Sequence, residues 1–327
     1  MNLPELRDLI KKHQPDELRQ IIVEMYRVMP RKLREDKHVD DMLQDITTYL
    51  QVGKSLAKVE PPVDMAHLKA KIDIFVEYAY QQYYFAPNNF IHKKDRPKWR
   101  FIVRSFILDL QKQPMDGDSG ILATDLLDNI FRMVSHASHY YLFNTNDPYR
   151  SIGISQIELL DIILTRRMQS GSLDDAIKKS VAMTIESYAD MSIGKLSMIY
   201  CLVRHLRSAD ARSIALRHSL DLKVKMNPVQ QDKRKRSRDS SSDYYAIEKY
   251  NSLIAQISIL KILSGDNQDA VRYFHENYRG RAEDRIHALL GLLEYYELDD
   301  LRKKEHEAAL KKGIKIREEP KIVYIMD

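Results

Sequence analysis

Apolar residues in this chain recur three and four positions apart, the spacing that lines one face of a helix. A short helix is expected over 4–12. Leu18, Ile21, Ile22, Met25, Tyr26 and Met29 then form an inward stripe between Pro15 and Pro30. Another helix starts near Val39, with Met42, Leu43, Ile46 and Leu50 inward; the basic run Arg31-Lys32-Leu33-Arg34 reads as the loop between them. Pro61-Pro62 marks a boundary. Asp64 stands where an N-cap belongs, ahead of a helix over 65–85 with Leu68, Ile72, Phe75, Val76, Ala79 and Tyr83 inward. Helices follow over 99–111 and 121–143, split by the turn-rich stretch 114–120. A polar loop over 144–153 contains the turn signal Asp147-Pro148. Four more helices are expected near 155–169, 172–189, 193–208 and 210–222, the first three divided by Gly171 and Ser192.

The strongest break is 227–243, which has no apolar residue between Val229 and Tyr244 and reads as a mobile basic linker. Beyond it, stripes carried by Ile247, Tyr250, Ile254 and Ile257, by Ala270, Val271 and Phe274, by Ile286, Leu289, Leu290 and Leu293, and by Leu301 and Ala308 to Leu310 predict four helices. Only 322–326 has strand character, and it is expected to be an extended tail. The expected fold is all-α: about fourteen helices in stacked antiparallel hairpins, solenoid-like or an irregular helical bundle. The expected organisation is an N-terminal helical segment 1–58, a central helical array 60–226, the linker 227–243, C-terminal hairpins 244–316 and a tail 317–327.

Composition narrows this picture. Hydrophobic residues at 44% supply a sizeable core, and only 10 Gly and 11 Pro among 327 residues argue against a turn-rich β fold. The 52 basic residues nearly balance 47 acidic ones, so the charge permits an acidic partner without requiring one. Nineteen Tyr offer large contact areas with a polar tip. The single Cys201, in the apolar run 198–203, excludes an intrachain disulfide and a cysteine-based zinc cluster. The N-terminus lacks the apolar centre of a signal peptide and no run is long enough to span a bilayer, so a cytoplasmic protein without a membrane segment is expected.

Over 251–311 the chain resembles the tetratricopeptide family. Gly265-Asp266, then Ala270 and Phe274, fit the second half of that repeat, with a small residue four before an aromatic. Tyr295 and Asp300 fit one repeat later. Ile254, Ile257, Ser258 and Lys261 stand in place of the usual Trp, Leu, Gly and Tyr, Ala282 in place of the closing Pro, and Lys304 and Ala308 in place of Ala and the aromatic. The resemblance implies stacked helical hairpins and a peptide-binding or scaffold role.

Four other sets of residues carry candidate chemistry. Asp128, His136 and His139 share a helix face and are candidate metal ligands. Lys93, Lys94, Arg96, Lys98 and Arg100 surround Trp99, and Lys233, Arg234, Lys235 and Arg236 form a second basic run; both sets are candidates for meeting nucleic acid. Arg212/His218, Arg132/His139 and Arg281/His287 fit the loose Arg-x(4–6)-His spacing of an all-helical ribonuclease family. No Gly-rich phosphate loop or nucleophile elbow is present, and no cofactor is expected. The expected function is a non-enzymatic scaffold that binds a protein or peptide on a Tyr-rich surface. The alternatives are a nucleic-acid-binding helical protein using the basic loops, and a helical metal-dependent or ribonuclease-type enzyme.

Overall fold

The computed structural model describes residues 3–36, 39–47, 64–190, 193–226 and 240–316. It is all-α, with no strand among the described residues. Tertiary contacts divide the chain into two units, Met1–Val63 and Asp64–Asp327, close to Pro61-Pro62.

The first unit contains α1 (Leu3–Ile10), α2 (Pro15–Val28), α3 (Arg31–Asp36) and α4 (Val39–Gln44). The basic run at 31–34 is helical rather than a loop. No Gly or Pro interrupts it after Pro30, and Arg, Lys, Leu and Glu are good helix formers. The stripe on α2 is also not inward: no α2 residue is buried, and Ile22 is 48% and Met25 57% exposed. Among the described residues of this unit only Val39 is buried.

The second unit begins with α5 (Met65–Tyr80), whose first two free amides are capped by Asp64: Ala66 and His67 donate to its carboxylate at 3.0 and 3.2 Å. The helix stops before the expected 85, because Gln82 turns the chain at φ 59°. Then come a 3₁₀ turn (Arg96–Lys98), α6 (Trp99–Gln111), α7 (Gly117–Ala137), α8 (Pro148–Ile152), α9 (Gln156–Gln169), α10 (Leu173–Glu186), α11 (Lys195–His205) and α12 (Ala209–Met226). α13 (Ser240–Leu263), α14 (Asn267–Asn277), α15 (Ala282–Tyr295) and α16 (Asp299–Lys311) complete it. α8 lies inside the expected loop 144–153; Asp147 caps it, accepting from the Arg150 amide at 2.9 Å.

α7 starts earlier and ends earlier than the 121–143 pattern suggests. Its first turn is pressed against the preceding backbone: a Cβ on Gly120 would lie 2.6 Å from the Met115 carbonyl carbon. Arg166 of α9 is buried beside it and donates to the carbonyls of Gln113 (3.2 Å) and Pro114 (2.6 Å) and to Thr124 Oγ1 (3.3 Å). These bonds satisfy the guanidinium without a carboxylate.

Helices pack mainly on their next and next-but-one neighbours: α7 on α9, α9 on α11, α10 on α12, and α13 on α11, α12 and α14. The C-terminal helices are therefore not separate from the body. One apolar cluster joins Ile185 and Ile199 to Leu253, Ile254, Phe274, Leu289 and Leu293. Tyr295 stacks on Tyr200 at 3.9 Å, and buried Gln256 donates to Ser219 Oγ of α12 at 2.8 Å. Residues 227–239 of the expected linker and the expected extended tail 317–327 lie outside the described residues, and 240–243 belong to α13. No described helix is long and apolar enough to cross a membrane.

Candidate functional site

The loop between α5 and α6 is built by one side chain. Asn88 Nδ2 donates to the carbonyls of Tyr83 (2.6 Å) and Ala86 (2.8 Å), while its Oδ1 accepts from the amides of Phe90 (2.9 Å) and Ile91 (2.8 Å). Arg96 Nε adds a bond to the Ile91 carbonyl at 3.2 Å. Phe90 stacks on Tyr83 at 4.5 Å. With this loop fixed, α5 and α6 leave a groove of about 610 Å³ between them, open along one side. Ile74, Tyr78, Tyr84, Phe101 and Ile102 line it, over a floor of Phe75 and Phe106. Ile74 is 52% and Phe101 62% exposed, a large apolar area to leave in water. Burial pushes the Tyr84 phenol up to about 12, so it stays a neutral wall. Lys71 and Lys98 stand at the rim; Lys98 pairs with Asp95 at 2.7 Å, and Lys71 makes no ion pair among the described residues. Between 65 and 111 the chain carries eight Lys and Arg against four Asp and Glu.

This groove absorbs part of the candidate nucleic-acid set and corrects another part. Lys93, Lys94 and Arg100 are exposed, with Arg100 lying over the Phe101 ring at 4.8 Å. Trp99, however, is only 4% exposed and stacks on Phe143 at 3.9 Å. Its indole belongs to the core and offers no face to a base. Lys233, Arg234, Lys235 and Arg236 lie outside the described residues.

A second concentration of polar groups lies where α7, α11, α13 and the 187–190 turn meet. Asp128 does not join His136 and His139 as a ligand set. Its carboxylate accepts from Arg132 (2.8 Å) and from buried Arg167 (2.9 Å), two cations that compete with any metal. His136 stacks on Tyr140 at 4.3 Å, and His139 lies 4.9 Å from the Tyr188 ring. Burial holds both imidazoles below their ordinary 6.5; both lie against Tyr188, and His139 also against Tyr245. Lys249 sits over the Tyr188 ring at 4.1 Å, and Lys195 donates to the Ser187 carbonyl. Burial pushes the Lys195 amine down to about 7. The crevice beside it, about 10 Å³, has room for about one water and not for a substrate. Buried Gln156 fixes this turn, donating to Ser135 Oγ (2.9 Å) and the Tyr188 carbonyl (2.8 Å) and accepting from the Asp190 amide (2.7 Å). Sequence spacing gives no signal for it, because its three partners lie 21 to 34 residues away.

The tetratricopeptide-like residues take packing positions. Gly265 adopts φ 86°, and Ala270 and Phe274 are buried. Asp266 stands at the start of α14 but caps it with its backbone only, its side chain making no capping bond. Of the Arg/His spacings, Arg281 pairs with Asp284 at 2.9 Å and His218 Nε2 lies 3.2 Å from Asp174. No family model, no curated protein and no solved structure matches this chain.

Proposed function

We propose that the protein is a non-enzymatic binding module whose α5–α6 groove takes an amphipathic segment of a partner protein, apolar on one side and flanked by Asp or Glu. The supporting observation is the pair Ile74 and Phe101, more than half exposed on facing helices above a rigid aromatic floor. The groove is open on one side, which suits a peptide better than an enclosed small molecule. The excess of Lys and Arg around it, with Lys71 at the rim, complements acidic flanks. The Tyr78 and Tyr84 walls fit the expectation of a Tyr-bearing contact surface, and the tetratricopeptide resemblance points to the same class of function.

Selection from a random peptide library displayed on phage tests this reading. Enriched peptides should carry large apolar residues three or four apart with acidic neighbours. Ile74→Asp or Phe101→Asp should weaken their binding at least about tenfold, as loss of a central apolar contact does. Enriched peptides that bind both variants as well as the parent chain would overturn it. Binding of a labelled single-stranded oligonucleotide that falls steeply with salt and is lost in Lys93→Ala/Lys94→Ala would favour the nucleic-acid alternative instead.

A further inference from the structure

α9 and α11 pack side by side and bring together three side chains that no motif links. Cys201 and His205 are four apart on α11 and so share one face. Asp161 faces them from α9. His205 Nε2 lies 2.9 Å from Asp161 Oδ1, and Cys201 Sγ 3.8 Å from the same oxygen. All three donor atoms lie within 4.8 Å of one another, and they form the one such cluster of His, Cys and carboxylate groups among the described residues. Zinc binds sulfur, imidazole nitrogen and carboxylate oxygen at about 2.0–2.3 Å, which sets tetrahedral donors roughly 3.4 Å apart. The observed 2.9 and 3.8 Å lie on either side of that edge. Cys201 is 1% exposed, the His205 side chain 15% and the Asp161 side chain 47%. The site is thus closed behind the sulfur and open to solvent beside the carboxylate.

We propose that Asp161, Cys201 and His205 form a three-ligand site for zinc or a similar thiolate-preferring divalent ion, with a fourth, solvent-facing position. On binding, the thiol proton leaves to solvent and the sulfur–metal bond replaces it. A soft sulfur ligand selects against magnesium and calcium. Arg204 is the competing group: its Nη2 lies 3.7 Å from Asp161 Oδ1 and 3.9 Å from Cys201 Sγ. Its side chain is 53% exposed and free to swing into solvent when the metal takes the carboxylate.

The full chain, stripped with a chelator, is titrated with cobalt(II) and followed by absorption, then back-titrated with zinc. One cobalt per chain with tetrahedral d–d bands and a thiolate-to-cobalt charge-transfer band, displaced by zinc, is the expected result. Cys201→Ser should abolish the charge-transfer band, and His205→Gln or Asp161→Asn should weaken binding by about tenfold or more. Arg204→Gln should tighten it by about tenfold, because a positive charge leaves the site. No charge-transfer band, or one that survives Cys201→Ser, overturns the proposal. If Cys201→Ser does not fold, unchanged cobalt affinity in His205→Gln and Arg204→Gln overturns it equally.

Discussion

Lys195 couples the chain's stability to pH through a single buried amine. Its folded value of about 7 lies below the ordinary 10.5, so between those values the unfolded chain holds a proton that the folded chain does not. Stability therefore rises with pH from about 7 to about 10, by at most about 1.4 kcal/mol per pH unit. Below about 7 the amine is charged in both states and adds no slope. His136 and His139 act in the same direction lower down, since both are held below 6.5 and the unfolded chain protonates first as pH falls. Urea midpoints measured between about pH 7 and 10 should climb for the parent chain and climb less steeply for Lys195→Met, the remaining slope coming from Lys249 and Lys223, which burial also holds below 10.5. An equal climb in the variant would assign the whole effect to those other groups. Burial of this amine, against Ser187 and beneath Lys249, is a property of the fold that no local pattern announces.

Elements show most clearly what a sequence discloses. The helix at 99–111 follows from its own stripe, and Asp64 from its position one residue ahead of α5. Both depend on residues within a few positions of each other. The tie of Arg166 to the 113–114 turn and the join of Tyr295 to Tyr200 depend on partners tens of residues away. Periodicity is silent on those, and equally on the α5–α6 groove, where it counts Phe101 and Ile74 as ordinary apolar residues without saying they stay uncovered. The same limit hides the joint made by Gln156, which ties the start of α9 to the turn that presents Tyr188. Gln156→Leu nearly keeps the volume but leaves the Asp190 amide without this acceptor, and the Tyr188 carbonyl and Ser135 Oγ without the donor that Gln156 supplies. The expected cost is about 2–3 kcal/mol, read from urea unfolding, with faster hydrogen exchange confined to 187–190. A loss below about 0.5 kcal/mol would mean that water replaces the amide without penalty.

At the scale of the whole molecule, the two units differ in what holds them. The helices of the first are laced by neighbouring ion pairs such as Asp8–Lys11 and Glu24–Arg27, each worth a few tenths of a kcal/mol, and α2 buries nothing. The second buries apolar side chains along its length, from Leu68 to Ala309. The ring of Trp99, pressed on Phe143, gives this contrast an optical consequence. It is the only indole in 327 residues, so ultraviolet emission excited at the red edge reports on the second unit alone, while circular dichroism sees the helices of both. On heating, part of the helical signal should fade before the emission shifts to the red. A chain starting at Asp64 should lose that early loss and keep the later transition. Coincident curves for the full chain would show instead that the first four helices melt with the rest. The sequence thus carries its own dye, at a position where it distinguishes the two units without any label.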